Sequence, residues 1–211
     1  MDLRALKELV KQGEGQQLEF KLKSNHPERI VREMVAFANS EGGRLLIGIG
    51  DDRSIKGLKY VDEDEYLMVR AIEKYITPTL QYTLQSIPVG DERDVLVFTI
   101  LPSPERPHYL LQDDARKAYV RVADKAVQAS WEMREIMRRS RKVRDIKFTY
   151  GEKEQKLIHH LGENRNITVD TFAEVANISR KMASKTLILL VLANVLKVHP
   201  DEIMDTFTIF K

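Results

Sequence analysis

Val35-Ala36-Phe37-Ala38-Asn39-Ser40-Glu41-Gly42-Gly43, followed closely by Leu45-Leu46-Ile47-Gly48-Ile49, is the stretch on which the reading of the chain turns. Its first half closes a helix. Pro27 suits the first turn of that helix, and Ile30, Val31, Met34, Val35 and Ala38 form an apolar stripe at helical spacing. Gly42-Gly43 permits the left-handed turn that ends it. The second half is short and apolar, the pattern of a buried strand. Upstream, Gln17-Leu18-Glu19-Phe20-Lys21 alternates polar and apolar side chains and reads as another strand.

Working outward, Leu3, Leu6 and Leu9-Val10 have helical spacing, and Gly13 and Gly15 stop that helix. Asp51-Asp52-Arg53-Ser54 is a turn, and a helix is expected from Glu63 to Ile76, stopped by Pro78. Leu80 to Ile87 and Asp94 to Leu101 alternate as strands, with Gly90-Asp91 as a hairpin loop. Lys117 to Val122 is a further strand. Ser130 is a plausible N-cap for a helix from Trp131 to Arg139, in which Trp131 is expected to be a packing anchor. Beyond it, helices are expected around Glu154–Leu161, Phe172–Ala176 and Arg180–Leu192, with Asn177-Ile178-Ser179 as the turn between the last two. Val195 to Val198 and Thr206 to Phe210 can pair as strands. Three helices and a hairpin form the plan of a winged helix-turn-helix, so the fold class is α+β.

Composition narrows the function classes. Hydrophobic residues at 43% and charged residues at 31% describe a globular chain. With no cysteine, disulfide frameworks and thiolate metal sites are excluded, which fits a reducing compartment. Met1-Asp2-Leu3-Arg4 lacks the apolar core of a secretory signal. The longest apolar run, Leu187 to Ala193, is shorter than the roughly 20 residues that span a bilayer, so no membrane partner and a cytoplasmic location are expected. A net charge of +2 does not by itself demand a polyanionic partner. The distribution says more: Arg134, Arg138, Arg139, Arg141, Lys142, Arg144 and Lys147 lie close together. Such a run is either a solvated face or a connector that tracks a phosphate backbone.

In a DNA-reading helix pair, the start of the second helix enters the major groove. Here that start carries Ser179, Arg180, Lys181, Ser184 and Lys185, residues able to bond phosphates or base edges. The remainder of the helix, Leu187 to Leu192, is apolar and must pack on neighbouring helices or on a second subunit. Acidic residues balance the basic ones in this region, so a module used only for protein contact is the competing reading.

Glu19-Phe20-Lys21, the Val35–Gly43 block, Leu45–Ile49, Asp51 and Gly57 occur in a distinctive order, followed by Arg106-Pro107, Ala118-Tyr119-Val120-Arg121-Val122 and Ala129-Ser130. Over about residues 1–140 this resembles the Schlafen-like AlbA_2 domain of many bacterial regulators. The resemblance implies nucleic-acid binding, with Lys21 and Arg121 as basic contacts. Ala123 departs from the pattern, since glycine is usual after Arg-Val, and it implies a stiffer loop. The resemblance also carries an alternative, because some Schlafen relatives cleave RNA with two glutamates and an aspartate. Glu14, Glu19 and Asp51 match those positions, with Asp52 beside them. Converging carboxylates of this kind bind Mg²⁺ or Mn²⁺ and activate water. No Gly-x-x-x-x-Gly-Lys-Ser/Thr loop supports the ATP-binding label that some members carry. The five histidines are scattered, and no zinc site is read from them.

The expected organisation is therefore a mixed-sheet AlbA_2-like domain over 1–140, a basic linker over 141–151 and a winged helix over 152–211. The expected function is a transcriptional regulator that binds duplex DNA through Arg180, Lys181, Ser184 and Lys185, as a homodimer and without a cofactor. A metal-dependent nuclease acting on RNA or single-stranded DNA is the alternative.

Overall fold

The computed structural model describes residues 1–112, 115–141 and 148–210. The chain divides into two compact units, Met1–Val127 and Gln128–Lys211. The first holds α1 (Leu3–Gln12), β1 (Leu18–Lys21), α2 (Pro27–Asn39), β2 (Gly43–Ile47), α3 (Val61–Tyr75), β3 (Ile76–Thr77), β4 (Tyr82–Gly90), β5 (Arg93–Ile100), β6 (Tyr109–Gln112), β7 (Ala115–Lys117), β8 (Tyr119–Val122) and β9 (Lys125–Gln128), which ends at the division. The second holds α4 (Trp131–Ser140), α5 (Glu152–Glu163), α6 (Val169–Ala176), α7 (Arg180–Leu192), β10 (Leu196–His199) and β11 (Thr206–Ile209). Among the described residues no helix is long and apolar enough to cross a membrane.

The first unit is α+β. Its main sheet runs β1-β2-β5-β4 and is mixed: β1 and β2 are parallel, whereas β2–β5 and β5–β4 are antiparallel. Parallel neighbours need a crossover, and α2 supplies it. Both faces of the sheet are covered. Leu45, Ile47, Leu96 and Phe98 join the α2 and α3 side chains Met34, Phe37, Met68 and Ile72 in one core. Their neighbours Leu46, Val95 and Val97 join Leu6 and Val10 of α1 in another. Burial on both faces explains why Leu45–Ile49 reads as a continuous apolar run. It also explains why β5 is buried at successive positions, although its sequence suggests alternation.

At the end of α2, Gly42 has φ +76°, and a Cβ there would lie 2.6 Å from the Ile100 carbonyl oxygen. At Gly43 a Cβ would run into the Phe37 ring. The paired glycines thus let the chain turn and let β2 pass close to α2.

Ala123, between β8 and β9, has φ +53°, a left-handed conformation that costs an L-residue roughly 1–2 kcal/mol. The departure from glycine therefore sits where glycine would relieve strain. Ala123→Gly should raise stability by about 0.5–1 kcal/mol, after allowing for the extra freedom glycine brings to the unfolded chain. A urea midpoint that is unchanged or lower would show that the turn carries no such strain.

In the second unit, Leu157, Leu161, Ile167, Phe172, Leu187, Leu190, Leu196 and Phe207 form the core beneath α5, α6, α7 and the antiparallel β10–β11 hairpin. Ile167 pairs with Phe207 and ties the lead-in to α6 onto the hairpin. Asn177 takes a left-handed conformation at the end of α6, and Ser179 caps α7 by accepting from the Met182 N–H. Helix α4 packs on α7, so it belongs to this unit and not to a first domain ending near 140. Glu132, Ile136 and Met137 are its buried positions. Trp131 starts the same helix from another face and is 50% exposed, so it is not the packing anchor its size suggests. Leu187, Ile188 and Leu190 are buried within the unit itself and do not require a second subunit to cover them. Most of the basic linker expected over 141–151 lies outside the described residues.

Candidate nucleic-acid interface

The Asn39–Gly43 block at the end of α2 faces inward at Asn39. Asn39 is 1% exposed, its amide donating to the carbonyls of His108 (2.9 Å) and Tyr119 (2.8 Å) and its Oδ1 accepting from the His108 N–H at 2.7 Å. Ser40 Oγ accepts from the Arg121 N–H at 2.8 Å. The pair clamps α2 to β8 and to the lead-in of β6.

Arg121 occupies the centre of this region, and its side chain is wholly buried. Nη1 lies 2.6 Å from Glu33 Oε2 and Nη2 lies 2.8 Å from Glu19 Oε2. Nη2 also donates to the Gly15 carbonyl at 2.9 Å, and the guanidinium stands 4.8 Å from the centre of the Phe37 ring. The hub closes the outer edge of β1. Arg121 takes up the Gly15 carbonyl, and Glu14 Oε1 accepts from the Phe20 N–H at 2.8 Å, so an edge strand has its polar groups satisfied. Burial pushes the Glu33 carboxyl above the ordinary carboxylate range; the Glu19 charge adds to this, against the lowering by Arg121 and Arg32.

The position of Arg121 corrects one expectation. Arg121 is an interior ion-pair residue and has no surface with which to meet nucleic acid. Glu19 is 6% exposed, and both Arg121 and Lys21 pair with it. Lys21 is partly exposed, but its ammonium also donates to the Phe20 carbonyl at 2.9 Å.

Glu14, Glu19 and Asp51 are not assembled into a ligand set. Among the described residues no group of three His, Cys, Asp or Glu side chains is placed to hold a metal ion. Glu14 borders a cleft of about 500 Å³ lined also by Gln17, Glu41, Arg44 and Pro102, and neither Glu19 nor Asp51 lines it. Asp51 is exposed in the turn after β2. Asp52 accepts from the Ser54 hydroxyl and N–H, and the hydroxyl chiefly holds its carboxyl below the usual range. Pairing in parallel brings β1 beside β2, yet the Glu19 carboxylate is taken up by Arg121 and Lys21.

On α7, Lys181 and Lys185 are exposed, one turn apart on one face, and make no ion pair with a described residue. Arg180 is also exposed, its Nε 2.8 Å from Asp170 Oδ1 and its Nη1 3.9 Å from Glu132 Oε1. Ser184 differs. It is 3% exposed, and its hydroxyl donates to Glu132 Oε1 at 2.7 Å, so it joins α7 to α4 and is closed to an outside ligand. Its spacing from Leu187 and Ile188 carries that signal, because positions three and four apart share a helix face. Glu33 was legible in the same way, as the polar member of the Ile30–Glu33–Phe37 stripe.

A mixed sheet with helices on both faces and a buried arginine–dicarboxylate hub at its edge make up an α+β domain. Residues 14–130 match the Schlafen AlbA_2 family model, more than half of the chain, and the chain belongs to that family. No curated protein sequence matches it. Among solved structures it is similar to the N-terminal domain of a RecG-related protein from Nitrosomonas europaea, at 21% identity and a TM-score of 0.44, over 57% of this chain and 88% of that one. It is also similar to the DIP2311 protein from Corynebacterium diphtheriae, at 17% identity and a TM-score of 0.45, over 70% of this chain and 32% of that one.

Proposed function

We propose that this protein is a cytoplasmic DNA-binding transcriptional regulator in which the C-terminal unit acts as a winged helix and reads duplex DNA. Family membership supports a nucleic-acid ligand. The observation that carries the reading is the pair Lys181 and Lys185, exposed on one face of α7 just after a capped turn. That is the place from which a second helix meets the major groove. Arg180 joins them once its contact to Asp170 is exchanged for a phosphate or a guanine edge. The AlbA_2 unit adds nucleic-acid contacts or assembly.

The test is a gel-shift titration with duplex DNA over a range of salt. Lys181→Ala with Lys185→Ala should weaken binding and lower the salt slope by about two counterions, one per lost phosphate contact. Ser184→Ala should leave the salt slope unchanged. The stoichiometry of the shifted complex decides whether the protein binds paired half-sites as a homodimer. Wild-type affinity and slope in the folded double variant would instead assign the C-terminal unit to protein contact.

A further inference from the structure

We propose that the groove bounded by α2, the end of α3 and the β6–β7 hairpin is a binding site for single-stranded nucleic acid. The proposal deepens the nucleic-acid reading above by giving the AlbA_2 unit a ligand of its own, distinct from the duplex assigned to α7.

Two adjoining concavities, of about 500 and 340 Å³, share Glu28, Leu110 and Gln112 in their walls. Arg29 and Arg32 of α2 line one of them, and Lys74 and Arg116 line the other. Four cations from three separate elements thus face one connected hollow, with Glu28 as the acidic residue among its described lining. Arg29 and Arg116 are exposed and make no ion pair with a described residue. Such a track follows a phosphate backbone.

The aromatic side chains say which form of nucleic acid fits. The Arg32 guanidinium lies over the Tyr119 ring at 5.8 Å, and the Lys74 ammonium lies over the Tyr75 ring at 4.9 Å. Tyr119 is buried and cannot itself receive a base, but it supports Arg32 from beneath. Glu33 holds the same guanidinium from the side, Nη2 to Oε1 at 3.2 Å, while 45% of the Arg32 side chain stays open. A planar cation fixed in this way is a platform on which a base can stack. Its charge is partly answered by Glu33, so its offer is mainly the plane. Base stacking requires bases that are not already stacked in a helix, and it is available in a single strand. Duplex DNA would meet the cations and leave the platform unused.

The experiment measures anisotropy of a labelled oligothymidylate, about 12 nucleotides long to span one such groove, against the full chain. Arg29→Glu with Lys74→Glu should lower its affinity at least tenfold and leave duplex binding in place. Arg32→Lys keeps the charge and removes the plane, so it should lose about as much affinity as Arg32→Ala. The Lys181→Ala, Lys185→Ala protein should show the converse, with duplex binding weakened and oligothymidylate binding kept. Unaltered oligothymidylate affinity in the charge-reversed groove, or full rescue by Arg32→Lys, would overturn the site without touching the α7 reading. So would a wild-type protein that binds duplex but no single strand. Displacement of the oligonucleotide by a phosphoserine peptide at lower concentration than by unlabelled oligothymidylate would assign the groove to a protein partner and equally overturn it.

Discussion

Replacing Arg121 by methionine should cost the N-terminal unit about 3–5 kcal/mol, the usual penalty for removing one side of a buried ion pair. The penalty comes less from lost attraction than from what stays behind. Glu19 and Glu33 would keep their positions on β1 and α2, both buried and left only with their more exposed partners Lys21 and Arg32. The carbonyl of Gly15 would keep only the long contact from the Leu18 N–H, at 3.4 Å. Arg121→Lys should fall between the two proteins, since a single ammonium does not reproduce a fork that reaches two carboxylates. The loss should be read as a lower urea midpoint and as faster amide exchange in peptides covering β1 and α2.

Acid should partly rescue the methionine variant. The Glu33 carboxyl is already raised by burial and by Glu19, and removing Arg121 deletes one of the influences that lower it. A carboxyl whose folded pKa lies above its unfolded value stabilises the fold below the unfolded pKa, and that contribution is lost as pH rises through the folded value. The deficit should therefore shrink as pH is lowered from neutrality toward the ordinary carboxylate range. A variant with wild-type stability and weakened nucleic-acid affinity would mean that Arg121 acts as a ligand contact after all.

Asn39→Ala should cost about 3 kcal/mol, because it removes three buried hydrogen bonds at once, each worth roughly 0.5–1.5 kcal/mol. Their partners are the His108 N–H and the carbonyls of His108 and Tyr119. Asn39→Asp should be no better. It keeps the shape, replaces two donors by a charge, and turns that charge toward two carbonyl oxygens. Thermal unfolding followed by circular dichroism checks both variants. If either melts with the wild-type protein, Asn39 is not the clamp that joins α2 to β8.

Local patterns carried much of this fold. The spacing of Leu3, Leu6 and Val10, the stop at Gly13, the stripe of α2 and the apolar run of β2 follow from backbone geometry acting over a few residues. Helix and strand periods are properties of a short segment, so they survive reading without a partner. The site was less legible. The burial of Glu19 could not be read because one strand taken alone has two faces and no edge, and only its neighbours say which of these is covered.

The α+β class, the main helices and strands and the position of the Asn39–Gly43 turn were determined by the sequence itself, whereas β3, β6, β7, β9 and the burial of Ser184 were not read from it. Helical spacing alone was enough to put Lys181 and Lys185 together and to align Ser184 with Leu187 and Ile188. What only the tertiary structure decided is where charge is neutralised. Arg121 meets Glu19 and Glu33 across 102 and 88 residues of chain, respectively, and the four cations of the groove come from α2, α3 and β7. No local pattern encodes such meetings. They exist because burying a charge is costly unless an opposite charge reaches it, and which opposite charge can do so depends on how sheet and helices pack.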